Sequence, residues 1–151
     1  MERTYTLRFQ GKILSKKNRH VVAKIGRRMA VLPDHEAIAN EMDIASQFTA
    51  QMRNDEHLRQ RIYKEKTRLV LEAERAGARY EVGIQIIQAD GIRRDLDNQT
   101  ATIMDALVKA GVLPDDCRKF VKAIIIRDGG IDKAKAGAII TIRETTEATA
   151  S

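Results

Sequence analysis

The chain has 151 residues and a formal net charge of +6, with 43% hydrophobic and 4% aromatic residues. This length predicts a single domain with enough apolar material for one aliphatic core. A lone cysteine, Cys117, excludes an intrachain disulfide, and no apolar run is long enough to span a membrane. The N-terminus lacks an apolar signal core, so we expect a cytoplasmic protein with no membrane partner. The basic excess favours a polyanionic partner without establishing one.

The first third of the chain predicts a strand, a hairpin and a helix. Apolar and polar residues alternate over residues 5–9, as in a half-buried strand. A basic loop follows, and apolar segments on both sides of a cationic tip predict a short hairpin over residues 21–32. Asp34 is a plausible N-cap for a helix whose apolar face extends over residues 38–52.

The remaining elements follow in chain order: a charged helix over 57–76, a strand over 80–86, a helix from residue 97 or 98 to 110, and strands over 121–126 and 138–142. Asp128, Gly129 and Gly130 predict a turn between the last two strands. Residues 145–151 predict a frayed tail. This order predicts one α+β domain over residues 1–151, with a small mixed β-sheet packed by helices.

A pair of aspartates lies between a predicted strand and a predicted helix. A short extended segment there would point the carboxylates of Asp95 and Asp97 the same way, with Asn98 beside them. Such oxygens suit a hard cation such as Mg²⁺. Arg93 and Arg94 directly precede them, which places cations for phosphate beside anions for a metal. This pattern is typical of metal-assisted phosphodiester cleavage.

The same aspartates have other interpretations. Asp97 could cap the following helix, and that alternative stays open beside the metal site. A calcium loop is excluded because Thr100 stands where that loop requires glycine. The three histidines share no ligand spacing, which argues against zinc. We found no motif for a nucleotide or another small-molecule cofactor.

A second acidic pair, Asp115 and Asp116, follows the helix that begins near Asp97. A helix over residues 98–110 is roughly 20 Å long at about 1.5 Å per residue. Six extended residues cover at most about 20 Å, so Asp116 can only just return to Asp97. Otherwise Asp116 serves an acidic cluster supplied partly by another subunit, or the pair is a solvated turn.

A cluster of cations near the N-terminus is the third candidate element. It contains no acidic residue and consists of Lys12, Lys16, Lys17, Arg19, Lys24, Arg27 and Arg28. A solvated surface is the simplest interpretation of such a cluster. Charges of one sign on a loop and a hairpin tip nevertheless favour contact with phosphates, so we predict that this cluster binds DNA together with Arg93 and Arg94.

Several of these segments resemble RusA-family Holliday-junction resolvases: RRDLDN at 93–98, MDALVKAGVL at 104–113, the acidic pair at 115–116, and the strand and basic loop within residues 5–19. The resemblance covers about the first thirty residues and residues 93 to about 126. It implies a RusA-like homodimer that uses Mg²⁺ to nick opposing strands of four-way junction DNA, in DNA recombination and repair. It also implies that Asp95, Asp97 and Asp116 are the catalytic, metal-binding carboxylates. Members of this family often travel with phages.

One position departs from that family. A lysine important for activity often stands four residues past the second aspartate, where this chain has Ala101. Either Lys109, Arg94 or a lysine of the basic loop substitutes for it, or catalysis is weakened. The alternative function is therefore a junction- or DNA-binding protein with weak or no catalysis. A metal-dependent nucleotidyl or sugar transferase is a third, weaker possibility.

Overall fold

The computed structural model describes residues 1–15, 20–25 and 28–147, and of residues 20–25 and 28–33 it describes the backbone alone. The predicted DNA-binding residues Lys16, Lys17, Arg19 and Arg27 lie outside these residues. The described elements are β1 (Glu2–Gln10), β2 (His20–Ile25), β3 (Arg28–Pro33), α1 (His35–Met52), a 3₁₀ turn (Leu58–Arg61), α2 (Lys66–Ala76), β4 (Arg79–Gln88), α3 (Leu96–Ala110), β5 (Val121–Ile131) and β6 (Gly137–Thr145).

The main sheet has four strands in the order β1-β6-β4-β5. β6 pairs antiparallel with both β1 and β4, whereas β4 and β5 are parallel and joined through α3. The strands β2 and β3 form a separate antiparallel hairpin, which confirms the predicted hairpin. Of the predicted DNA-binding residues, Lys24 lies in β2 and Arg28 lies in β3. The predicted α+β class with a mixed sheet is therefore confirmed.

The core lies on one face of this sheet. Alternate residues of β1, β4 and β6 are buried, as the period-two pattern predicts for a sheet covered on one side. Helices α1 and α3 pack together over that face. Their contribution includes the fully buried side chains of Ile44, Phe48, Ile103 and Leu107. The fold is thus a two-layer arrangement of helices on a sheet.

A buried carboxylate links β6 to β1, β4 and the 3₁₀ turn. Glu144 accepts hydrogen bonds from the hydroxyls of Tyr5 and Tyr80, at 2.9 and 2.7 Å. Its other neighbour is the guanidinium of Arg61, at 2.7 Å, which also donates to the carbonyl of Val112 at 3.1 Å. Burial opposes ionisation of Glu144, but the Arg61 charge and these hydrogen bonds outweigh it and hold its pKa below the ordinary value.

Two sequence predictions about local structure are wrong. The helix predicted over residues 57–76 is a 3₁₀ turn and a separate helix, because the backbone of Glu65 is extended at φ −69 and ψ 152. The turn predicted at residues 128–130 is part of β5. There Ile86 and Gln88 of β4 pair with Asp128 and Ile131, so β5 carries an extra residue and the glycines form an irregularity within the strand.

The described part of the C-terminal segment is hydrogen-bonded to the rest of the chain. β6 extends to Thr145, and the amides of Thr146 and Glu147 donate to the carbonyls of Met1 and Ala76. The last four residues of the predicted frayed tail, 148–151, lie outside the described part of the chain. No described helix combines the length and apolar character needed to cross a bilayer.

Candidate functional site

The first acidic pair lies at the N-terminus of α3. Asp95 is the N-cap, and its side chain accepts a hydrogen bond from the amide of Asp97 at 2.9 Å. The helix begins at Leu96, so Asp97 lies in its first turn and not in the extended segment predicted from the sequence. Both carboxylates are exposed. Capping therefore occupies one oxygen of Asp95, and the partial positive charge of the helix end favours both anions.

This pair has the donor chemistry of a Mg²⁺ site. Mg²⁺ is commonly held in proteins by one or two carboxylates, with water and substrate phosphate completing its shell. Two exposed carboxylates, two positions apart on one helix end, fit that pattern. Within the described residues, however, no group of three or more histidine, cysteine, aspartate or glutamate side chains could hold a metal ion. One chain therefore supplies two carboxylates here and not three.

Asp116 lies at the other end of α3. The loop after the helix is held by Arg61, which donates to Val112, and by Lys66, whose ammonium is 3.8 Å from Asp115. Because α3 has 15 residues, its two ends are about 22 Å apart. The sequence spacing barely allowed this loop to return toward Asp97, and the loop does not do so. Within one chain, Asp116 is not brought together with the first pair.

The two arginines before the acidic pair have different surroundings. The guanidinium of Arg94 binds both oxygens of Asp90, at 2.6 and 3.2 Å. Hydrogen bonds from Arg94 and from the amide of Ile92 lower the pKa of Asp90 to about 2. Both arginines line an open hollow of about 460 Å³ together with Asp95 and Asp97, but only Arg93 is exposed and has its guanidinium outside the Asp90 pair. Arg93 is thus the better placed of the two to contact phosphate.

The root of the basic loop is fastened beside this hollow. The amide side chain of Asn40 bonds the carbonyl of Lys12 and the amide of Leu14, at 2.6 and 2.9 Å. From α3, Gln99 donates to the carbonyl of Ile13 at 3.0 Å and Thr102 to that of Leu14 at 2.8 Å. These contacts hold the segment that enters the basic loop against the first turns of α3.

Sequence reasoning missed the residues that make this connection. Gln99 is 1% exposed and also exchanges hydrogen bonds with Gln88, at 2.7 and 3.2 Å. Asp90 holds Arg94 through an ion pair and also feels the positive charge of Lys12. A polar residue on an otherwise apolar helix face, as at Gln99, was the signal available in the sequence.

The structure distinguishes the cations that lie close enough to Asp97 to substitute for the missing lysine from those that do not. Ala101 lies one helical turn after Asp97, on the same side of α3. Lys109 lies near the C-terminal end of α3, about 18 Å from Asp97 along the helix axis. It therefore cannot serve Asp97 of the same chain. Arg94 is engaged by Asp90. Lys12 and the remaining cations of the basic loop are the candidates left.

Comparison with known proteins adds no family to this geometry. No protein-family model matches the chain, and no curated protein matches it. The α+β fold is given by the structure itself, while the likeness to RusA-family resolvases rests on the motifs at residues 93–98, 104–113 and 115–116.

Proposed function

We propose that this chain is a Mg²⁺-dependent endonuclease that resolves four-way DNA junctions as a homodimer, in the manner of the RusA family. It would act in DNA recombination and repair in the cytoplasm. One observation supports the proposal above the others: the exposed pair Asp95 and Asp97 lies beside exposed Arg93, and α3 also holds the root of the basic loop. Ligands for a metal and cations for phosphate are thereby offered on one surface.

In the proposed reaction, Asp95 and Asp97 would hold Mg²⁺ at the N-terminal end of α3. The ion would supply an activated water and charge stabilisation for the leaving oxygen of the phosphodiester. Arg93 and Lys12 orient the phosphate and offset its charge, as does the N-terminus of the helix. Asp90 fixes the direction of Arg94. Because Asp116 lies at the far end of α3, its carboxylate would join this pair only from a second subunit.

The test is nicking of a labelled synthetic four-way junction, with Mg²⁺ or with chelator, beside linear duplex of the same sequence. We expect paired, Mg²⁺-dependent nicks confined to the junction. Asp95→Asn should abolish them and leave junction binding in place, because asparagine still caps the helix. Asp55→Asn is the matched control, since Asp55 likewise caps a turn, at 2.9 Å from two amides, away from α3.

Ala101 favours a second candidate, a junction-binding protein with weak catalysis. Without the lysine that the family often has there, less positive charge faces the phosphate near Asp97. This candidate predicts tight, metal-independent binding to the junction and few or no nicks. Ala101→Lys should then raise the nicking rate. If neither binding nor nicking prefers the junction over duplex, both candidates are wrong.

A further inference from the structure

The turn that joins β5 to β6 crosses the end of β4. In the main sheet β4 lies between β6 and β5, and β5 is parallel to β4 whereas β6 is antiparallel to it. Residues 132–136, here called the crossing turn, therefore pass over the C-terminal end of β4. From that end the chain continues to Asp95 and Asp97. The crossing turn carries two exposed cations, Lys133 and Lys135.

Both ends of the crossing turn are fastened to neighbouring segments. The amide of Asp132 donates to the carbonyl of Gln88, the last residue of β4, at 2.9 Å. At the other end, the amide of Gly11 donates to the carbonyl of Ala136, also at 2.9 Å. The carboxylate of Asp132 accepts from two amides of the turn itself, at 3.1 and 3.3 Å. These contacts hold the turn between the end of β4 and the segment that enters the basic loop.

The lysines at this end of the sheet differ from the others that the structure describes. Lys12, Lys133 and Lys135 form no side-chain hydrogen bond or ion pair with any described residue. Lys122, by contrast, donates to a backbone carbonyl at 2.8 Å. Ion pairs with carboxylates engage the remaining described lysines, Lys64, Lys66, Lys109 and Lys119. Cations that gather without partners at one end of a sheet favour a polyanionic ligand.

We propose that the crossing turn binds the phosphate backbone of a DNA strand that continues to the acidic pair, an inference that rests on the proposed function. From β1 to β5 there are three strand spacings, about 14 Å in all. One DNA strand carries a phosphate for roughly each 3.4 Å of helix axis, so this edge matches about four phosphates. Lys12, Lys133 and Lys135 lie along it. A hollow of about 260 Å³, lined by Ile131 and Arg93 among others, extends from the crossing turn to the loop before the acidic pair.

The first test measures DNA binding by the full chain without catalysis. The probe is a labelled four-way junction in chelator, followed by fluorescence anisotropy at several salt concentrations. Lys133→Gln combined with Lys135→Gln should weaken binding at least tenfold at about 0.1 M salt. The slope of log K against log salt concentration should decrease in magnitude by about 1.8, because each lost phosphate contact accounts for about 0.9.

Two control variants separate a phosphate contact from other effects of substitution. Arg68→Gln combined with Arg75→Gln removes the same charge from exposed positions on α2. α2 precedes the other end of β4, about 30 Å from the crossing turn, so binding should change less than threefold. Lys133→Arg combined with Lys135→Arg keeps the charge and should bind as the wild type does. The proposal is overturned if the glutamine pair binds no more weakly than the α2 control, or if the arginine pair binds as weakly as the glutamine pair. Circular dichroism checks that each variant is folded.

Tethered cleavage tests where the DNA strand lies. In a Cys117→Ser background, an iron chelate attached at Ala134→Cys lies between the two lysines of the crossing turn. With ascorbate and peroxide it should cut the bound junction. The same chelate at Leu71→Cys, on α2 at a residue that is 47% exposed, should cut it little. Equal cutting from the two positions would contradict the proposed path of the strand.

Nicking assays distinguish this inference from the proposed function. A wild type that binds the junction through the crossing turn but never nicks it with Mg²⁺ would reject the endonuclease and keep the DNA-binding surface. A glutamine pair that binds and nicks as the wild type does would reject the surface and keep the endonuclease. A wild type that does not bind DNA would reject both.

Discussion

Replacing Glu144 by glutamine should destabilise the fold through a single buried charge. The side chain of Glu144 is 6% exposed and that of Arg61 is 20% exposed, at an N–O distance of 2.7 Å. Glu144→Gln preserves the shape but removes the charge that faces Arg61. The substitution also replaces one acceptor oxygen by a donor. Because Tyr5 and Tyr80 donate to the two oxygens of this carboxylate, one of these hydroxyls loses its acceptor.

The expected loss is about 3 kcal/mol at pH 7. Removing one partner of a buried ion pair costs about 3–5 kcal/mol. The lower end applies because Arg61 retains some access to water and its bond to Val112. In a domain of this size, each 1 kcal/mol lowers the Tm by about 2–4 °C, so we expect a decrease of roughly 6–12 °C.

The pH dependence identifies the mechanism. Because the pKa of Glu144 is lowered by folding, its ionised form stabilises the native state above the ordinary glutamate pKa, and this contribution is lost as pH falls through the folded value. The variant has no such group. The difference in urea-unfolding free energy between the two proteins should therefore shrink from pH 7 to pH 3.

Glu81→Gln is the control for this experiment. Glu81 forms an ion pair with Arg143, but both side chains are about half exposed, at 47% and 48%. Loss of an exposed pair should cost less than about 1 kcal/mol. If Glu144→Gln costs no more than Glu81→Gln, or if its effect does not change with pH, the ionised buried carboxylate is not what stabilises this end of the sheet.

Three further predictions concern other parts of the fold. Gln51→Ala removes two hydrogen bonds to the backbone of Arg8 on the edge strand β1, so it should lower the unfolding free energy by about 1–2 kcal/mol and increase self-association measured by light scattering. Gly137→Ala should cost more than about 3 kcal/mol, since a Cβ would strike the backbone of β1, whereas Gly130→Ala, with open space around it, should cost about 1–2 kcal/mol in urea titrations. Burial raises the pKa of Tyr80, so stability should fall above pH 10, and less so in Tyr80→Phe.

Much of the fold was accessible from local sequence patterns. The strand now assigned as β4 and the helix α3 follow from hydrophobic periodicity, and α3 ends at Ala110 as predicted. It begins at Leu96, earlier than predicted, and its N-cap is Asp95 and not Asp97. Asp34 is the N-cap of α1, as predicted. Each of these features depends on residues a few positions apart, where side-chain periodicity and capping act directly.

The departures occur where distant residues compete with that local signal. The charged segment 57–76 has helical periodicity, yet it breaks after Arg61, whose side chain bonds Val112 and Glu144. Asp128, Gly129 and Gly130 have the composition of a turn. Pairing with β4 extends β5 through them instead, because a strand already in register gains hydrogen bonds by continuing.

For the candidate site, the sequence by itself determined which residue types are present and which of them lie close along the chain, as with Arg93, Asp95 and Asp97. Only the tertiary structure decided that Asp116 lies beyond the far end of α3, a helix about 22 Å long, and does not fold back toward that pair. The tertiary structure likewise decided which segment Gln99 contacts, namely Ile13 before the basic loop, and which strands lie at the edges of the main sheet. The physical reason is that these features are contacts between segments brought together by packing, and sequence spacing carries no information about which segments meet.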